Sequence, residues 1–102
     1  MATGNDEAIT ANDVKDAERK AAKARERAAQ AGLSAARSFE ESALQHERVA
    51  QVQDQTVEQG ASHQEPHRKS AAKHREAASH DRKLAELKRK ESEADLALDA
   101  DY

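Results

Sequence analysis

The chain has 102 residues, enough for one small domain, and it contains no cysteine and only 2% aromatic residues. Charged residues make up 36% of the sequence, but the two signs nearly cancel and the net charge is −3. This composition excludes disulfide and thiolate chemistry and argues against a core built from large side chains.

No apolar run approaches the ~18 residues that a transmembrane helix needs. Asp6 and Glu7 stand where a signal peptide would be basic. We therefore expect a soluble, cytoplasmic protein without a membrane span.

Helix-favouring residues dominate the chain, and glycines divide it. Residues 1–11 lack hydrophobic periodicity and are expected to form a mobile tail. A first helix is predicted over residues 12–31, with Thr10, Asn12 or Asp13 as its N-cap and Gly32 as its end.

A second helix is predicted over residues 35–59, because Ser34 offers a new N-cap and Gly60 a stop. A third is predicted over residues 63–94, with Pro66 tolerated in its first turn. Residues 95–102 are acidic without a basic residue and are expected to fray into a C-terminal tail. The three helices would form a single domain, 12–94.

Small and apolar residues recur along these helices at alternating steps of three and four, which is the spacing of a coiled-coil seam. The seam of the second helix is one residue out of phase with that of the first, so an interruption is expected at Gly32. The predicted seam residues are Val14, Ala17, Ala21, Ala24, Ala28, Ala36, Phe39, Ala43, His46, Ala50, Val57, Ala71, His74, Ala78, Leu84 and Ala85.

These seams predict an all-α fold, either an antiparallel helical hairpin or a three-helix bundle with alanine-rich seams. Turns are expected near Leu33 and near Ser62. Alanines let the helices approach closely and leave room for one larger side chain per layer.

The five histidines are the residues with the most obvious site chemistry. His63, His67 and His74 would share one side of an uninterrupted helix, but no cysteine and no zinc-protease motif accompanies them, so no metal site is predicted. His46 lies on an alanine seam and is expected near His74 and His80, where charging of the imidazoles would make association sensitive to pH.

Catalytic and nucleic-acid-binding functions find little support in the sequence. It has no glycine-rich phosphate loop and no nucleophile motif, so neither an enzyme nor a cofactor is predicted. Basic residues cluster between Arg68 and Lys83, yet no aromatic residues are interleaved with them and the net charge is negative, so nucleic-acid binding is not predicted.

Two classes of function stay open. The first is a helical interaction or structural protein that packs, like a coiled coil, against a protein partner or against itself. The alternative is a hydrophilic stress-protective or chaperone-like chain that is partly disordered alone. In composition, the segment "DVKDAERKAAKARERAAQAG" resembles the alanine-, lysine- and glutamate-rich repeats of late embryogenesis abundant proteins, over about a fifth of the chain and without a regular eleven-residue repeat.

Overall fold

The computed structural model describes residues 9–60 and 62–100, with side chains described as far as Leu98. It contains two long helices, α1 (Ala11–Glu58) and α2 (Gln64–Ala100), and the described residues include no strand. The helices pack against each other, so the predicted all-α class is confirmed in the form of a helical hairpin. The predicted N-terminal tail lies outside the described residues from position 1 to position 8.

The start of α1 is fixed by a reciprocal cap. The Thr10 hydroxyl accepts a hydrogen bond from the Asp13 backbone N–H, and the Asp13 carboxylate accepts one from the Thr10 N–H, each at 3.1 Å. Both bonds satisfy donors that the first turn of a helix leaves without a partner. Thr10 is therefore the N-cap among the three predicted candidates, and the helix begins one residue earlier than predicted.

The expected break at Gly32 is absent, and α1 runs through it without interruption. The reason is visible on the side of Gly32 that faces α2. A Cβ at this position would overlap the Ser92 hydroxyl and lie 3.6 Å from the Lys88 carbonyl oxygen. Gly32 thus permits close contact between the helices, and the good helix formers around it carry α1 through the position. The predicted first and second helices are one helix.

The turn between the helices follows the sequence signals more closely. Gly60 adopts φ 75°, the left-handed conformation that glycine supplies after a helix end, and its N–H donates to the Val57 carbonyl at 3.0 Å. Pro66 is the third residue of α2 and therefore lies within its first turn. At the other end, residues 95–100, predicted to belong to a frayed tail, are helical; residues 101 and 102 are outside the described part.

The contacts between the helices show that α1 and α2 run in opposite directions. Glu40 pairs with Arg89, and further along α1 Asp54 pairs with Arg75, earlier in α2. The hairpin is therefore antiparallel. Its smallest dimension is 13 Å, close to the ~10–12 Å diameter of a single helix, so it is one layer thick.

The buried core consists of one row on each helix, with seven residues between successive members. The α1 row is Ala29, Ala36, Ala43 and Ala50, and the α2 row is Ala71, Ala78, Ala85 and Ser92. A step of seven residues is close to two helical turns and keeps each row on the same side of its helix. The side chains that are fully buried are thus methyl groups and one hydroxymethyl group.

Candidate functional site

The interface between α1 and α2, called here the seam, contains the seam residues that were predicted for the second and third helices. All six predicted alanines between Ala36 and Ala85 are buried, with relative exposures of 3% or less. Between these alanines lie half-buried larger side chains. These are Phe39, His46, Val57, His74 and Leu84.

The predicted seam residues of the first helix occupy a different place. Val14 is 46% exposed, and all the predicted alanines from Ala17 to Ala28 are also exposed. Ala29, which the prediction omitted, is the buried residue in this region. Its signal was present in the sequence, because Ala29 continues backwards the seven-residue spacing of Ala36 and Ala43.

Polar side chains form a short hydrogen-bonded section within this seam. The Nδ1 atoms of His46 and His74 are 2.7 Å apart, with one imidazole donating and the other accepting according to tautomer. One step further toward the turn, the Gln53 amide donates to the Ser70 hydroxyl at 2.7 Å. The predicted proximity of His46 to His74 is present as a direct contact.

Asp81 completes the surroundings of the histidine pair. Its Oδ2 lies 3.9 Å from His46 Nε2, the ring nitrogen that does not contact His74, and its side chain is 16% exposed. A proton on His46 would therefore place a positive charge beside a carboxylate. Nowhere in residues 9–60 and 62–98 do three histidine or acidic side chains converge as a metal site requires.

One flank of the seam, called here the charged flank, carries three ion pairs between the helices. Glu40 pairs with Arg89, Glu47 with Arg82, and Asp54 with Arg75. Successive pairs are seven residues apart on both helices, so they repeat in step with the buried rows. Two arginines of the predicted basic cluster, Arg75 and Arg82, are thus held by acidic residues of the same chain.

The other flank of the seam is uncharged on α1. From Val14 to Thr56, residues at alternating steps of three and four carry no charge, although 36% of the whole chain is charged. We call this set the uncharged face. It consists of Val14, Ala17, Ala21, Ala24, Ala28, Ala31, Ala35, Ser38, Ser42, Gln45, Val49, Val52 and Thr56.

The uncharged face borders the seam but lies outside it. Ala35 and Ser42 are half-buried, while Val49 and Val52 are 39% and 58% exposed. Beside it on α2, Ala77 and Leu84 are half-buried. The prediction identified the N-terminal part of this face and assigned it to the interior of the domain, whereas the structure leaves it uncovered by α2.

Neither described helix contains an apolar stretch of the length and hydropathy that crossing a bilayer requires. Comparisons with protein-family models, with curated protein sequences and with solved structures find no match to this chain. What the protein does must therefore be inferred from the chemistry of its own surface.

Proposed function

We propose that this chain is a non-enzymatic helical interaction or structural protein, which acts through coiled-coil-like packing of its uncharged face against another helix. The observation that carries the proposal is the contrast between the two flanks of the hairpin. The charged flank is closed by ion pairs within the chain. The uncharged face leaves valines exposed over the same length of α1.

The chemistry of the uncharged face suits a helix better than it suits a small molecule. Its residues recur every three or four positions, which is the spacing at which one helix meets another. Alanine and serine allow two helix backbones to approach closely, and the valines supply larger side chains to fill the layers between them. An amphipathic or alanine-rich helix is therefore the ligand class that we assign to it.

The histidine pair serves packing in this proposal. His46 and His74 bind each other in the seam, and the first ring is 33% exposed at its side chain. A general base needs to reach a substrate proton within hydrogen-bond distance. In this pair, one nitrogen of each ring takes part in the contact between α1 and α2, so its role here is to hold the hairpin together.

A photo-cross-linking amino acid at position 52 tests the proposal in the cells that make the protein. We expect adducts from position 52, to another protein or to a second copy, and we expect Val49→Glu to suppress them. The same probe at position 51 is the matched control, because Gln51 is also exposed but lies outside the uncharged face. Equal adduct formation at both positions, or none at position 52, contradicts the proposal.

The alternative stress-protective function makes a different prediction for the isolated chain. A packed hairpin loses its circular dichroism signal at 222 nm in a cooperative thermal transition, whereas a largely disordered chain shows a shallow and featureless decline. The interhelical contacts at Gln53–Ser70 and His46–His74 support the cooperative result. A featureless melt would favour the alternative.

A further inference from the structure

The uncharged face is more apolar than its alanines alone suggest. Val14 and Val52 are about half exposed, at 46% and 58%, and across the border with α2 Leu87 and Leu98 are 55% and 53% exposed. The core that is fully buried contains no side chain larger than serine. Several large apolar side chains are therefore exposed while the fully buried rows hold only small ones, which is a distribution expected when a further interface covers the exposed groups.

This surface is continuous with the interface inside the hairpin. Ala35 and Ser42 of the uncharged face are half-buried at the edge of the seam, as are Ala77 and Leu84 on α2. A helix laid along this edge would contact α1 and extend the existing packing without a gap. It would also meet no charge on α1, so its own contact residues must be uncharged.

The helix lengths show which part of the face α2 leaves without a neighbour. Gly32 lies against Ser92, and α2 continues only eight residues further, to Ala100. From Gly32, α1 extends back 21 residues to Ala11. At ~1.5 Å per residue, α1 therefore projects roughly 20 Å past the last described residue of α2, and the uncharged face projects with it.

We propose that the occupant of this face is a second copy of the chain, with α1 packed antiparallel to the partner's α1 about a twofold axis near Ala35. This inference rests on the proposed function and names its partner. In this register Val49 lies opposite the partner's Ala21, and Val52 opposite the partner's Ala17. The valines are confined to one half of the central face and alanines to the other, so the antiparallel arrangement sets large side chains against small ones in these layers.

The same arrangement covers the projecting part of α1. Residues near Val14 come level with Thr56 of the partner subunit, so the uncharged face is buried along its whole length. Pairing α1 with the partner's α2 in the same direction would leave the projection uncovered. From Val14 to Thr56 the face is roughly 63 Å long, and at the ~10–12 Å width of a helix it offers on the order of 700 Å² per copy, close to the ~800 Å² typical of a stable interface.

Analytical ultracentrifugation of the full chain over a concentration series tests the proposal. We expect a monomer–dimer equilibrium for the wild type, weakened at least roughly 100-fold by Val52→Glu, because two unpaired carboxylates would be buried in the dimer. Gln51→Glu adds the same charge one residue away and should leave the equilibrium within about threefold. Helicity measured at 222 nm should be kept in both variants, since positions 51 and 52 are exposed in the hairpin.

Single cysteines then test the direction and register, because the natural chain has none. Ala35→Cys should form disulfide-linked dimers readily, and Ala21→Cys mixed with Val49→Cys should form the mixed dimer. Val49→Cys alone should not, because two copies of position 49 would lie about 42 Å apart. Ready cross-linking of Val49→Cys to itself would overturn the antiparallel register.

A wild type that stays monomeric at all concentrations overturns the proposal of self-association. The same outcome leaves the proposed function standing if the probe at position 52 forms adducts with a different protein. A wild type that dimerises equally well with Val52→Glu overturns the assignment of the uncharged face as the interface.

Discussion

His46 and His74 face each other across the hairpin with their Nδ1 atoms 2.7 Å apart. Their two rings are in direct contact, with centroids 5.0 Å apart. A contact of this length requires that one Nδ1 carries a hydrogen and the other does not. The contact therefore joins α1 to α2 through one nitrogen of each ring, while the other nitrogen of His46 lies 3.9 Å from the Asp81 carboxylate.

His74→Ala should lower the thermal stability of the hairpin. It removes one partner of the 2.7 Å contact and leaves the Nδ1 atom of half-buried His46 without it. The lost contact corresponds to about 1–3 kcal/mol.

The measurement is the melting temperature at pH 7.5 for the wild type, for His74→Ala and for His80→Gln. His80 is exposed, so its replacement is the control and should leave the melting temperature almost unchanged. If His74→Ala melts at the wild-type temperature, the contact between His46 and His74 does not stabilise the hairpin.

Ala43→Glu should destabilise the hairpin by about 3 kcal/mol or more. Ala43 is 0% exposed, so its replacement brings a longer, charged side chain into a closed methyl-sized layer without a partner. Gln51→Glu is the matched control, since this position is exposed and should change stability by no more than about 0.5 kcal/mol. Urea denaturation followed at 222 nm gives both values, and similar losses would contradict the assignment of the core.

The same spacing rule selects residues that are buried in one part of α1 and exposed in another. From Ala36 to Ala50 the alanine stripe is the buried one, but from Ala17 to Ala28 a second alanine stripe has the same three-and-four spacing in a different phase. Periodicity shows that a stripe can be packed, and it does not show which stripe a neighbour covers. That choice depends on α2, whose position follows from the turn at Gly60.

The partners in the interhelical ion pairs could not be predicted from the sequence, for a related reason. Which acidic residue of α1 meets Arg82 depends on the register between two helices, and a shift of one turn would change every partner. The turn at Gly60 and the position of Pro66 could be predicted, because glycine in a left-handed conformation and proline in a first turn are local rules. A glycine such as Gly32 also suggests a helix end in the sequence. In the structure, glycine is needed there because of the close contact with Ser92.

Gly32→Ala should therefore depend on what occupies position 92. In the wild type the new methyl group would overlap the Ser92 hydroxyl, so the gain of about 1 kcal/mol in helix propensity should be cancelled or reversed. In a Ser92→Ala background only the Cβ remains, 3.5 Å from the new methyl group, which is an ordinary contact. There, Gly32→Ala should stabilise the hairpin by about 0.5–1 kcal/mol.

A double-mutant cycle in urea measures this coupling between Gly32 and Ser92. Additive effects of the two substitutions would show that Gly32 is not needed for close contact at this layer. If Gly32→Ala in the wild type gives the whole helix-propensity gain of about 1 kcal/mol, glycine is likewise not needed at this layer.

Exchanging the charges of one interhelical pair separates an ion pair from two unrelated surface charges. Glu47 and Arg82 are each about half exposed, at 45% and 47% for their side chains, so their pairing should contribute only about 0.2–1 kcal/mol. Glu47→Arg alone should cost about 1 kcal/mol or slightly more, because it sets two positive charges together in the middle of the charged flank. The double variant Glu47→Arg with Arg82→Glu should recover most of that loss, since the restored pair has the opposite orientation at the same place.

The recovery should shrink at 1 M salt, where the Debye length falls to about 3 Å. If the double variant loses as much stability as the two single variants together, the two side chains meet in the hairpin without stabilising it.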